Sequence, residues 1–399
     1  MNLIAPRANN FPDVVRKSAV YSILDEVCRE LELTEAQLVA AKNSYEAVAE
    51  WLSESDDPLL RAIRVYAHGS AGLGTSVKPL GREDFDVDLI CLVLGFSSRR
   101  SPAELKKLIG DRLRDNARYA PILEEKKRCW RLNYAREFHL DISPTIVNVE
   151  CVNGGELVPD KKLRDWKPTN PSGFKAIFER RANLRARLRA EKAAYANDRA
   201  DVAPFPTKMT GKGVLRRTVQ LLKRHRDIYF EDTTKEVAPI SIVITTLASM
   251  AYEFCVGIFE FDTELDVVVE TIRMMPHFIE KRLIDGRIHY WVANESTVGE
   301  NFADRWNAEP ARVDAFFAWH AKALSAFEQA AAVDGLDRVT SSLEGILGKS
   351  VVRRVMDRRT DSIGAARGSG RLYIGSAGSL SFSSAAGAAP IPRNTNFGD

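Results

Sequence analysis

The chain has 399 residues, 45% hydrophobic and 28% charged, which excludes a fibre, a coiled-coil rod or a largely disordered chain and suits two or three domains or one two-lobed unit. Net charge is only +3, from 57 Lys and Arg against 54 Asp and Glu, so any nucleic-acid contact must come from a local patch rather than bulk charge. The five cysteines (Cys28, Cys91, Cys129, Cys151 and Cys255) never form a C-x-x-C pair, which argues against structural zinc and for free thiols in a reducing compartment.

The start, Met1-Asn2-Leu3-Ile4-Ala5-Pro6-Arg7, lacks a charged region followed by an apolar one. No segment approaches the roughly twenty apolar residues that span a bilayer, so a cytoplasmic protein without membrane contact is expected. The first clear element is a helix opening at Thr34. Thr34 and Gln37 read as a capping box, Leu33 and Leu38 as a hydrophobic staple, and Leu38, Tyr45, Val48 and Leu52 as one apolar face. A strand follows at 63–67, running into His68-Gly69-Ser70-Ala71-Gly72-Leu73-Gly74, where glycine allows a tight turn and close approach of backbone to a ligand.

Next comes Asp84-Phe85-Asp86-Val87-Asp88, leading into the apolar run 89–93. A helix is expected over 102–116 and two further β-type runs over 129–134 and 138–147. From about residue 170 the pattern turns helical and basic. Arg181, Arg185 and Arg189 are four apart, so a helix would line them up on one side, read as a solvated face. Helical periodicity continues over 215–230, 241–254, 310–332 and 336–347. From about Asp361 the chain crowds Gly, Ser and Ala with few large apolar residues, a composition expected to stay disordered.

The chemistry starts with Asp86 and Asp88. Residues two apart on a strand share a face, and two carboxylates that close repel unless a divalent cation sits between them. Oxygen ligands of this kind suit magnesium, with manganese as a substitute. Asp84 and Asp86 form the same spacing, but the alternation of Phe85 and Val87 and the apolar run that follows favour Asp86 and Asp88. Asp141, inside the later run 138–147, is the third candidate ligand and also a candidate general base for the attacking hydroxyl. The Gly69-Ser70 turn would offer backbone N–H groups and a hydroxyl to a triphosphate. His139 shares a strand face with Asp141; local hydrogen bonding is the reading taken for it.

This ordered set resembles the polymerase-β-type nucleotidyltransferase superfamily. The segments TVQLLKRHRD at 218–227, APISIVITTLA at 238–248 and ENFADRW at 300–306 resemble the helical lobe of the bacterial cGAS/DncV-like nucleotidyltransferases. The resemblance spans residues 15–350. It implies a cyclic oligonucleotide synthase that makes a cyclic di- or trinucleotide second messenger from NTPs, ATP among them, in anti-phage (CBASS) signalling. It also implies two magnesium ions on Asp86, Asp88 and Asp141, with Lys223 and Ser241 at the triphosphate beside Gly69 and Ser70.

Family members are regulated by peptide-binding partners or by ubiquitin-transfer-like enzymes acting on a C-terminal tail, here Asn396-Phe397-Gly398-Asp399. The sequence has no ligand set for the zinc-containing insert with which animal cyclic GMP–AMP synthase grips DNA, which speaks against direct nucleic-acid activation. Competing readings are a template-independent enzyme acting on RNA or a small acceptor, and a non-catalytic nucleotide-binding regulator.

The expected fold is α+β and bilobed, a mixed-sheet catalytic core plus a helical lobe. Its expected divisions are an N-terminal helical segment packing on the core (1–57), a nucleotidyltransferase core (58–200), a helical lobe (201–358) and a disordered Gly/Ser/Ala-rich tail (359–399).

Overall fold

The computed structural model describes residues 11–81, 85–134, 138–160, 162–189, 212–232, 234–374, 380–382, 384 and 388–392. Asp84, Lys192 and the final residues 393–399 lie outside them, so the alternative acidic register and the tail terminus are not described. Helix α1 (Phe11–Leu31) precedes α2 (Glu35–Ser53) and the short α3 (Pro58–Arg61). The capping box at Thr34 and Gln37 is present. Leu38 is 54% exposed, and the buried face of α2 runs through Ala41, Val48 and Leu52.

The central sheet is built from β1 (Ile63–His68), β2 (Phe85–Val93), β3 (Leu123–Glu125), β4 (Trp130–Tyr134) and β5 (Phe138–Val147), in the spatial order β1-β2-β5-β4-β3. The β2–β5 pair is parallel and its neighbours are antiparallel, giving a mixed sheet. Two short strands, β6 (Glu156–Pro159) and β7 (Trp166–Thr169), extend it from the end of β5. Alternation along the strands gives the sheet one apolar face. Val87, Leu89, Leu140 and Ile142 pack there against α2 and against Leu105, Ile109 and Leu113 of α5 (Pro102–Arg114). Each such fully buried side chain contributes about 1.5–3 kcal/mol. The opposite face carries the polar residues, and α4 (Gly69–Leu73) closes the turn out of β1.

Helix α6 (Pro171–Ala182), capped by Asn170, crosses into a second, larger core. That core contains α7 (Gly213–Tyr229), α8 (Ser241–Ile258), α9 (Glu264–Met274), α10 (Asp304–Ala308), α11 (Ala311–Ala332), α12 (Leu336–Leu347) and α13 (Lys349–Gly368). Helix α1 belongs to it too: Val20, Ile23, Leu24, Val27, Cys28 and Leu31 are buried among these helices rather than against the sheet. Among the described residues, one helix, α8, is long and apolar enough to cross a membrane; most of that stretch is buried inside the protein, where it forms the centre of the helical lobe.

Within the described residues, the structure departs from the helix expected to align Arg181, Arg185 and Arg189. Helix α6 ends at Ala182, and residues 187–188 form β8 (Arg187–Leu188), paired in parallel with β9 (Glu260–Phe261). The arginines therefore do not share a helix side. Arg181 is buried and pairs with Glu253 and Glu295, and Arg189 reaches Asp262. These tertiary ion pairs outweigh the local helical spacing. At the other end, α13 runs to Gly368, past the change of composition at Asp361. Short strands β12 (Tyr373–Ile374), β13 (Leu380–Ser381) and β14 (Ala389–Pro390) follow the solvent-exposed hairpin β10 (Glu280–Ile284) and β11 (Arg287–Trp291) in chain order.

Candidate active site

On the polar face of the sheet, the parallel register of β2 and β5 sets Asp88 directly opposite Asp141 and Asp86 opposite His139. The antiparallel register of β1 and β2 brings His68 opposite Asp88. Directly paired residues of adjacent strands project on the same side, so the three carboxylates converge on one surface while Phe85, Val87 and Leu89 enter the core.

Crowding is visible in their proton affinities. Burial, followed by the charges of Asp141 and Asp86, pushes Asp88 up to about 6 from an ordinary 3.8. Asp86 is raised as well, chiefly by burial and against the pull of Arg131. The guanidinium of Arg131, on β4, lies across the group. Its Nε donates to Asp141 Oδ1 at 2.6 Å, and its Nη2 donates to Asp141 Oδ2 at 2.8 Å and to Asp86 Oδ1 at 3.0 Å. Among the described residues no three His, Cys, Asp or Glu groups stand as a finished metal-ligand set. At this position a guanidinium supplies the positive charge that the carboxylates demand.

The turn after β1 fits closely against Asp88. Gly69 has φ +61°, and a Cβ placed there would lie 2.1 Å from Asp88 Oδ2, so the close approach and the left-handed backbone both require glycine. Ser70 follows at the start of α4, and Ser76 Oγ donates to its hydroxyl at 3.2 Å. Lys223, buried in the middle of α7, holds the same loop by donating from Nζ to Thr75 O at 3.1 Å and to Thr75 Oγ1 at 3.0 Å. Burial, then the nearby charge of Arg226, lowers its ammonium to about 8.

Two cavities meet over this surface, of about 520 and 460 Å³, and Ser70, Asp86 and Ser241 line both. The first also holds Phe85, Arg226, Phe230 and Lys235. The second holds Asp88, Asn170, Lys223, Glu300 and Phe302. Ser241 opens α8, and Arg226 Nη1 donates to its hydroxyl at 3.0 Å. Glu300 is raised by burial and accepts from Asn294 Nδ2 at 2.7 Å. A row of carboxylates faces a lysine, an arginine and serine hydroxyls across a cleft of nucleotide size.

The sequence profile of the Second Messenger Oligonucleotide or Dinucleotide Synthetase domain matches residues 19–182. That stretch contains all three carboxylates and the Gly69-Ser70 turn. Along nearly the whole chain, the protein is 28% identical to a c-di-GMP synthase of Roseivirga ehrenbergii, covering 96% of this chain and 98% of that one. In its synthetase-domain match and its relatives, the chain is similar to the bacterial cGAS/DncV-like nucleotidyltransferases.

A second relative, the cyclic dinucleotide synthase CdnG of Bradyrhizobium diazoefficiens, is 25% identical over 76% of this chain and 74% of its own. The solved structure of that organism's CdnG in complex with GTP shares the fold, with a TM-score of 0.65 at 21% identity, covering 86% of this chain and 98% of that one. The chain brings together on its sheet the Asp86, Asp88 and Asp141 singled out from its sequence, with Gly69 and Ser70 beside them and Lys223 and Ser241 across the cleft. His139 sits beside Asp86 in the register.

Sequence reasoning missed Arg131 and Arg226, and it left Glu300 without a role. Arg131 carried a usable signal. A hairpin pairing Tyr134 with Phe138 must also pair Arg131 with Asp141, because the two positions are equally far from the turn.

Proposed function

We propose that the enzyme joins nucleoside triphosphates into a cyclic dinucleotide, with GTP as at least one substrate, using Asp86, Asp88 and Asp141 to hold a pair of magnesium ions. The carrying observation is the apposition of Asp88 and Asp141 across the parallel β2–β5 pair. The names of both relatives, a c-di-GMP synthase and a cyclic dinucleotide synthase, support the product class.

The donor set fits a hard divalent cation. It is all carboxylate oxygen, it repels itself when ionised, and a guanidinium now neutralises part of it. When bound, the ions would screen the triphosphate and lower the pKa of the attacking hydroxyl. Arg131 must then release Asp86 and Asp141, and its retained charge is available to the incoming phosphates.

The remaining roles belong to the chain itself. Ser70 and the backbone of its turn take phosphate oxygens, and Lys223 and Ser241 hold the triphosphate from the helical lobe. Asp141 takes the proton of the attacking ribose hydroxyl. That oxygen bonds to the α-phosphorus, the bond to the α–β bridging oxygen breaks, and pyrophosphate leaves with the electron pair. A second transfer closes the ring. Glu300, a half-buried carboxylate in the cavity shared with Asp88, suits the paired N–H donors of a guanine edge.

The test is to incubate purified protein with magnesium and all four NTPs and to read products by mass spectrometry after phosphatase treatment. A phosphatase-resistant cyclic species containing guanine is expected, and it should vanish in Asp86→Ala and in Asp141→Ala. Retained synthesis in either variant would reject the assigned site.

A further inference from the structure

Ser241 stands where the two cavities join, at the first position of α8. A serine hydroxyl has one hydrogen to give and lone pairs to receive. Among the described residues, one lone pair is taken by Arg226 Nη1 at 3.0 Å, and no acceptor is placed for the hydrogen. Arg226 is itself fixed on several sides. Nη1 also donates to Pro239 O at 3.2 Å, and Nε and Nη2 donate to Asp227 Oδ1 at 2.9 and 2.6 Å. Its side chain is 17% exposed, and what remains open lines the larger cavity together with Ser70, Ser76 and Lys235.

Building on the proposed nucleotidyl transfer, we infer that Arg226 is a positioning residue for the triphosphate. Held as an acceptor by Arg226, Ser241 must aim its hydroxyl hydrogen into the cleft, and the guanidinium charge lies behind the departing pyrophosphate. A contact made equally to the bound triphosphate and to the transition state changes KM and leaves kcat alone. The closeness of two cations agrees with this: the charge of Arg226 helps to pull the Lys223 ammonium down to about 8, a repulsion that a bound polyphosphate relieves. The planar fork of arginine can bond the serine and the carboxylate at once, which lysine cannot do as fully.

The experiment compares Arg226→Met, Arg226→Lys, Ser241→Ala and the Arg226→Met/Ser241→Ala double variant. One arm is steady-state pyrophosphate release. The other is calorimetric binding of magnesium pyrophosphate, which needs no turnover. Arg226→Met should raise the NTP KM and weaken pyrophosphate binding about 10- to 100-fold, the scale of a lost charge-assisted hydrogen bond, with kcat nearly unchanged. Arg226→Lys should recover part of the loss, and the double variant should be no worse than the more damaged single one.

Multiplicative losses in the double variant would overturn the inference, because Arg226 would then act independently of Ser241. So would unchanged pyrophosphate binding in Arg226→Met, or a fall in kcat and thermal midpoint at constant KM, the mark of a merely structural role. Failure of the unaltered protein to turn over any NTP would sink the proposed function instead, and pyrophosphate binding would still decide the role of Arg226.

Discussion

Replacing Asp88 with Asn should stabilise the metal-free protein while abolishing synthesis. Asp88 titrates near 6 in the folded chain against 3.8 as an ordinary carboxyl, because burial and two neighbouring carboxylates disfavour its charge. The span is about two pH units at about 1.4 kcal/mol each, so ionised Asp88 costs the fold up to about 3 kcal/mol. Part of the side chain reaches solvent, which places the expected gain at about 1–3 kcal/mol.

The sign follows from proton counting. Below pH 3.8 the carboxyl is neutral whether the chain is folded or unfolded, and variant and parent should match. Between 3.8 and about 6 the folded state binds more protons, so the parent loses stability as pH rises. Above 6 the full difference stands. Urea unfolding followed by circular dichroism, at several pH values from 4 to 8 with a chelator present, measures this directly. Added magnesium should then stabilise the parent and leave the variant unmoved, since only the parent gains binding energy in the folded state. A variant that is less stable than the parent at pH 8, or a difference that ignores pH, would refute the account of carboxylate crowding.

Gly69→Ala should reduce synthesis by at least about 100-fold, because its Cβ would fall 2.1 Å from Asp88 Oδ2 on a backbone with φ +61°. Displacing a ligand by about an ångström has an effect of this order, and initial rates of pyrophosphate release test it. Lys223 carries its charge below about pH 8 and loses it above, so the KM for NTP should climb through that pH in the parent and lie high and flat in Lys223→Met. Parallel profiles would dismiss a phosphate role for this ammonium. Glu300→Gln should lower kcat/KM for GTP by about tenfold or more relative to ATP, read from competition between the two nucleotides; an unaltered ratio would remove Glu300 from base reading.

The acidic surface was legible because a strand fixes a period of two. Once the run after Asp88 is read as a buried strand, Asp86 and Asp88 must share a side, and Asp141 inside a second such run becomes a natural neighbour. The helices α7, α8, α11 and α12 were legible from long apolar periodicity. Helix α1 was not, because many of its positions are polar and its apolar stripe has meaning only against helices distant in sequence.

The basic stretch after Ala182 misled for a related reason. Spacing by four describes what a helix would do if one formed. It is silent about the buried pairing of Arg181 with Glu253 and Glu295, more than 70 positions away. The interior location of Lys223 was equally hidden, since a lysine on an amphipathic helix ordinarily marks the wet side.

Helix α1 also changes how the two lobes can move. Among the described residues the chain runs first through the helical lobe in α1, passes to the sheet after Leu31, and returns at Asn170. Among the described residues two stretches of backbone therefore bridge the lobes, and each is fastened. Lys78 N donates to Leu31 O at 2.8 Å, and Asn170 Nδ2 donates to Asn153 O at 3.2 Å and to Ser296 O at 3.0 Å. Further bonds tie the loop between them to the helical lobe, from Lys223 to Thr75 and from Gln220 Nε2 to Ser76 O at 3.0 Å. Attachment at both crossings and at this loop opposes twisting of one lobe against the other, a restraint that would keep Ser70 and Ser241 in one alignment through the two proposed bond-forming steps.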